Sequence, residues 1–124
     1  MISKNILKKH PHHTENEMYE AYKIFFGTLV SASRLRIINL LRDGKKNVSE
    51  LMQELKADQT AVSHDLARLK RCGFVHVTTE GKYRYYSLNE TTIKPLMKLI
   101  DTHMSHYCIH ILHAQHKEQI HHSH

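Results

Sequence analysis

A mainly helical chain carrying one β-hairpin is what this sequence predicts, and three observations carry that prediction. Apolar residues recur at helical spacing along most of the chain. Val75 and Val77, then Tyr83 and Tyr85, instead alternate with polar residues as strands do. Glycine marks the changes of pattern, at Gly44, Gly73 and Gly81.

The elements follow in order. From Glu15 to about Leu29, the residues Met18, Tyr22, Phe25, Phe26 and Leu29 form one face of a first helix. Ser31-Ala32-Ser33 offers hydroxyl caps for a second, Arg34 to Arg42, with Leu35, Ile38 and Leu41 on one side. Asp43-Gly44 stops it. Asn47 or Ser49 starts a third helix through Leu51, Met52 and Leu55. Lys56-Ala57-Asp58 makes a tight turn into the fourth, QTAVSHDLARLKRC over 59–72, with Val62, Leu66 and Leu69 inward. Gly73 ends it, and the two strands meet at a turn over Glu80-Gly81-Lys82. Asn89 caps one long final helix from near Thr91, with Pro95 tolerated in its first turn. Helices, a hairpin and a last helix make a winged helix-turn-helix with extra N- and C-terminal helices.

Size and composition narrow the class. The 124 residues suit one domain with a modest core: a basic arm at 1–14 broken by Pro11, a folded body at 15–118 and a His-rich tail at 119–124. The longest apolar run, Ile24 to Val30, falls well short of the roughly 18 residues a membrane span requires. With no apolar signal core at the start, cytoplasmic residence is expected. Cys72 and Cys108 do not make a secreted disulfide framework and are expected as free thiols. No glycine-rich phosphate loop, nucleophile elbow or His-Glu-x-x-His occurs, so an enzyme is not expected.

Charge points toward a polyanion. Ser31 to Leu88 holds eleven Lys/Arg against six Asp/Glu, which places five of the six excess charges on the helix–hairpin module. Histidine is the outlier. Of thirteen, eight lie between His103 and His124 and three at His10, His12 and His13.

The run SASRLRIINLLRDG, then VSELMQEL, QTAVSHDLARLKRCGFV and EGKYRYYSL, resembles the ArsR/SmtB family of small dimeric transcriptional repressors over about residues 29–88. The resemblance implies a homodimer, built from the first and last helices, on an imperfect palindrome of double-stranded DNA. Gln59, Thr60, Ser63 and His64 are then expected to reach base edges from the exposed N-terminal half of the fourth helix. Arg68 and Lys70 are better placed for phosphates, and Lys82 and Arg84, on the wing, for minor-groove or backbone contacts.

The resemblance also frames an inducer. The family's cysteine site at the start of the third helix falls here on Asn47, Val48 and Ser49, which are not soft-metal ligands. Its alternative site, an Asp-x-His meeting a His-x-x-His from the partner's final helix, falls on Glu90 and Thr92 and on His103 and His106. One half is complete; in the other, threonine replaces imidazole. His103, His106, His110 and His113 step by three, four and three, and so share one strip of a continuous helix. Zinc is the first expectation for such a set, with nickel or cobalt accepting more imidazoles. A metal-independent regulator, constitutive or sensing redox state or pH, is the alternative.

Overall fold

The computed structural model describes residues 14–122, with side chains up to residue 117; most of the expected N-terminal arm and the last two tail residues lie outside this range. The described chain divides into two units, one ending at Leu88 and one starting at Asn89.

In the first unit, α1 spans Glu15–Leu29, started by Thr14, whose hydroxyl accepts from the Glu17 N–H at 3.1 Å. Ser31 caps α2 (Ala32–Leu41) in the same way. A two-residue strand β1 (Lys46–Asn47) runs straight into α3 (Val48–Leu55). Asn47 and Glu50 close a reciprocal capping box, each side chain accepting from the other's backbone N–H. Lys56, in the left-handed region at φ 52°, turns the chain, and Asp58 caps α4 (Gln59–Arg71) with an Oδ1 that accepts from the Ala61 N–H at 2.7 Å. Gly73, at φ 76°, lets the Phe74 N–H reach back to the Leu69 carbonyl at 2.8 Å and end α4.

The wing comprises β2 (Val75–Glu80) and β3 (Tyr83–Leu88), joined at Gly81 (φ 61°) and Lys82. With β1 they form an antiparallel sheet in the order β1-β3-β2. The register corrects the strand phase suggested by the sequence. Val77 lies opposite Tyr86 and Val75 opposite Leu88, so Tyr86 and Leu88 share the inward face, while Tyr83 and Tyr85 share the other with Thr78 and Glu80. Tyr85 and Tyr86 stand side by side in sequence, and alternation alone does not choose between them.

Ile37, Ile38 and Leu41 of α2, Leu51 of α3 and Val62, Leu66 and Leu69 of α4 are buried together with Phe74, Val75, Tyr86 and Leu88. In α2, Ile37 takes the inward place expected of Leu35, which is only half-buried. Phe25 of α1 meets Phe74 with ring centroids 5.1 Å apart.

Polar contacts fasten α1 to α2 and α4. Thr28 is completely buried, and its hydroxyl donates to the Ile24 carbonyl at 2.7 Å. That uses its single proton. The same oxygen accepts from Arg68 Nε at 3.0 Å and lies 3.3 Å from Cys72 Sγ, so the thiol is the donor in that pair. Arg34 Nε donates to the Thr28 carbonyl at 2.8 Å and Nη2 to the Gly27 carbonyl at 3.3 Å, while Nη1 meets Asp65 Oδ1 at 3.4 Å.

The second unit departs from the expected single helix. Asn89 accepts through Oδ1 from the Thr91 and Thr92 N–H groups in the turn ahead of the helix, but the N-cap position itself is Thr92, without a side-chain cap bond; α5 then runs Ile93–His106 with Pro95 in its first turn. At Tyr107 (φ −129°, ψ −75°) the helix breaks, and α6 spans Cys108–His122. No glycine or proline stands near the break, so the sequence carries no breaker to announce it. Cys108 therefore opens a helix rather than sitting inside one, and α6 continues into the segment expected as a tail.

Thr28→Val retains the side-chain shape but leaves Arg68 Nε and the Cys72 thiol without their acceptor. It should destabilise the fold by about 1–3 kcal/mol, seen as a lower melting temperature by circular dichroism. An unchanged melting temperature would show that the hub is dispensable.

Candidate nucleic-acid interface

The first two turns of α4 present a polar surface because its apolar residues are all on the other side. Val62, Asp65, Leu66 and Leu69 are buried, whereas Gln59, Thr60, Ser63, His64 and Ala67 are exposed. Positions 59, 60, 63, 64 and 67 share one face of a helix. The side chains there are short donors and acceptors, and alanine leaves room between them. Asp58 satisfies only the Ala61 N–H at the start of the helix. The N-terminus of α4, the positive end of the helix dipole, adjoins this polar surface.

Lys70 is exposed at the far end of the same helix, where three basic residues, Arg68, Lys70 and Arg71, fill the last turn. Arg68 is placed differently from its neighbours. It is half-buried, and its Nε is committed to Thr28. Part of its role is therefore internal, which the sequence reading did not anticipate.

On the wing, Lys82 and Arg84 are both exposed. Lys82 Nζ lies 5.4 Å from the Tyr83 ring centre, and the Arg84 guanidinium sits 6.0 Å from that of Tyr86. The three-stranded arrangement brings in residues that the sequence reading missed. Lys45, just before β1, lies 5.2 Å from the Tyr85 ring centre and forms an ion pair with Glu80. Tyr83 and Tyr85 are in edge contact at 6.4 Å. The outer wing face is therefore aromatic and cationic together. A strand of two residues gives no periodicity, so nothing in the sequence signals that Lys45 belongs to this surface.

The histidine set is dispersed in comparison. His103 and His106 lie in the last turn of α5, and His110 and His113 in α6, beyond the break at Tyr107. The four do not lie on one continuous helical strip as expected. His103 and His106 instead flank Tyr107, with ring centroids 4.7 and 6.4 Å from it. Glu90 precedes α5 and pairs with Lys94 at 3.8 Å. Among the described residues, no three His, Cys, Asp or Glu side chains come together in a way that would hold a metal ion. Cys72 and Cys108 are free thiols.

Among the described residues no single helix is long and apolar enough to cross a membrane.

Comparison with known proteins agrees with this geometry. Residues 31–77 match the model described as bacterial regulatory protein, arsR family. An uncharacterized HTH-type transcriptional regulator of Methanocaldococcus jannaschii is 34% identical over 86 residues, covering 68% of this chain and 97% of that protein. The transcriptional activator HlyU of Vibrio cholerae is 31% identical over 77 residues, covering 62% and 71%. Among solved structures, the homodimeric winged helix-turn-helix DNA-binding domain of Mb0332 from Mycobacterium bovis superposes with a TM-score of 0.70 at 22% identity, covering 80% of this chain and 94% of that one; at this identity it shows the fold alone. With the exposed face of α4 and the basic wing in place, the chain belongs to the arsR family of bacterial regulatory proteins, and is a DNA-binding transcriptional regulator rather than an enzyme.

Proposed function

We propose that this regulator is a homodimeric, sequence-specific repressor that reads double-stranded DNA with Gln59, Thr60, Ser63 and His64. The observation that carries the reading is the exposure of all four on the N-terminal half of α4 while its apolar side is buried. Lys70, Lys82 and Arg84 supply phosphate contacts, which hold the helix in register without themselves reading sequence. Arg68, tied to Thr28, contributes through the nitrogens that this bond leaves over.

Dimerisation is supported by apolar surface that a lone protomer leaves in water. Along α1, Tyr19, Tyr22, Phe26 and Val30 follow one another at helical spacing and are exposed, Phe26 at 57% and Val30 at 82%. In the second unit, Leu99, Met104, Tyr107, Ile109, Ile111 and Leu112 are exposed as well. Apolar surface of this extent suits burial against a second copy. Two α4 helices would then meet half-sites about one helical turn apart, roughly 34–36 Å. A small dimer of this kind acts most simply by covering its site. Since the relative HlyU is named an activator, a promoter–reporter strain tests the sign directly: deleting the gene should raise expression, and a fall would mean activation.

A metal input is the finer part of the proposal. His103 and His106, with His110, His113 and Glu90, are its ligand candidates, and zinc, nickel or cobalt its candidate ions. Because one protomer's described residues do not assemble a site, this reading draws on further ligands, from the partner or from the chain's histidines outside the described range. The metal-independent alternative is the reading in which DNA affinity does not change with any ion.

Replacing Ser63 and His64 together with alanine should lower affinity for the selected operator by about tenfold or more, since each base contact is worth about 1–3 kcal/mol. The circular dichroism spectrum should stay as it was; retained specificity would mean that another element reads the bases. Lys82→Ala should weaken binding alike on every sequence and make the salt dependence shallower by about one unit of slope. The metal reading is checked by fluorescence anisotropy at fixed salt, with chelator and then with each ion. A change of about tenfold, or 1.4 kcal/mol of coupling, should be lost in a His103→Ala, His106→Ala variant that still binds DNA as the apo-protein.

A further inference from the structure

The apolar residues of α1 fall into two strips. Tyr19, Tyr22, Phe26 and Val30 form the exposed one assigned above to the dimer. Ala21, Ile24, Phe25 and Thr28 form the other, at spacings of three, one and three. Its Phe25 and Thr28 are the residues through which α1 meets Phe74, Arg68 and Cys72. The two surfaces are not completely closed against each other. A cavity of about 560 Å³ remains, lined by Ala21, Ile24 and Phe25 from α1 and by Arg68, Arg71 and Cys72 from the end of α4.

Three properties of this recess point to one kind of occupant. Its volume falls within the roughly 300–1,000 Å³ typical of small-molecule sites. One wall is hydrocarbon and aromatic, and the opposite wall carries two guanidiniums. Among the described residues, neither Arg68 nor Arg71 forms an ion pair with a carboxylate, whereas Arg34 nearby has Asp65. Basic residues in the last turn of a helix are favourable without any ligand, so the charges alone would identify nothing. An open apolar wall facing them is what they do not explain. Arg68 is also held through Nε by Thr28, which fixes the position of its charge and lowers the entropic cost of using it. The chain's own N-terminal segment is an unsuitable occupant, because Lys4, Lys8 and Lys9 would be brought against the two arginines.

We infer that the recess between α1 and the C-terminal end of α4 binds a small amphipathic organic anion, with its apolar part against Ala21, Ile24 and Phe25 and its carboxylate or similar group on Arg68 and Arg71. Such a ligand touches both a proposed dimer helix and the reading helix. Any consequence for DNA binding rests on the function proposed above; the binding itself does not, and is measured without DNA.

Octanoate serves as the probe and octanol as its uncharged counterpart, each titrated into the isotope-labelled full chain and followed by two-dimensional NMR. Octanoate should give saturable shifts at the amides of Ala21, Ile24, Phe25, Arg71 and Cys72, and octanol should bind about tenfold or more weaker, the equivalent of about 1.4 kcal/mol. Arg71→Glu alters an exposed residue, so the fold and the dispersion of the spectrum should persist while octanoate affinity falls by a similar factor. Equal affinity for the two probes, an unchanged affinity in Arg71→Glu, or shifts centred on Tyr22 and Phe26 would each overturn the assignment.

Discussion

The hydroxyl of Thr28 is the joint on which the reading helix depends. It is completely buried, and its bonding capacity is full: one proton given to the Ile24 carbonyl, two lone pairs taken by Arg68 and by the Cys72 thiol. A buried polar group is expensive when unpaired and specific when satisfied, because few arrangements satisfy it. Arg34 completes the joint from α2. Its guanidinium meets the Gly27 and Thr28 carbonyls, two of the groups that the end of α1 leaves without helical partners, and the Asp65 carboxylate on the inner face of α4. Apolar packing alone would let α4 slide or rotate slightly against α1 and α2. Directional bonds at Asp65, Arg68 and Cys72 fix it along more than one turn of its length.

That joint also explains how α4 can spend its other face on recognition. A helix whose position is set from behind needs no structural contact in front, so Gln59, Thr60, Ser63 and His64 remain in solvent. The capping of α4 follows the same division. Asp58 is a separate residue placed just ahead of the helix, so the polar residues inside the first turn are not consumed by the backbone. On the wing, the inward Val75, Val77, Tyr86 and Leu88 hold the sheet, and the other face carries Tyr83 and Tyr85 with Lys45 beside them.

Much of this was legible in the sequence, and the parts that were not have identifiable reasons. Caps and stops act locally, so Ser31, Gly73 and Gly81 announced their elements directly, and Asn47 was one of two candidates for the start of α3. The exposed half of α4 followed from the spacing of Val62, Leu66 and Leu69. The hub was missed because its members lie far apart in the chain, although one signal was present: Asp65 sits among the apolar positions of α4, where an unpaired carboxylate would be costly. β1 was too short to show a period. The break at Tyr107 has no glycine or proline to mark it, and it is this break that divides the histidines into two pairs.

The two strips of α1 give the arrangement its regulatory logic. A helix with one apolar face is committed to a single neighbour; α1 has a second face, and on the dimer proposed here that face belongs to the partner. In that dimer, a change at the subunit contact would have a bonded route to α4 through α1 and Thr28. Because the hydroxyl there has no spare donor or acceptor, a shift of α1 relative to α4 cannot be absorbed by exchanging one bond for another at the same oxygen. It must either carry Arg68 and Cys72 along or break with them. A joint of that kind transmits motion rather than damping it, and only a differential contact with the two resulting positions is needed for a ligand to control DNA affinity. The recess beside Arg68 and Arg71 lies against this same joint, so an occupant there would act on α4 directly, without first passing through the subunit interface.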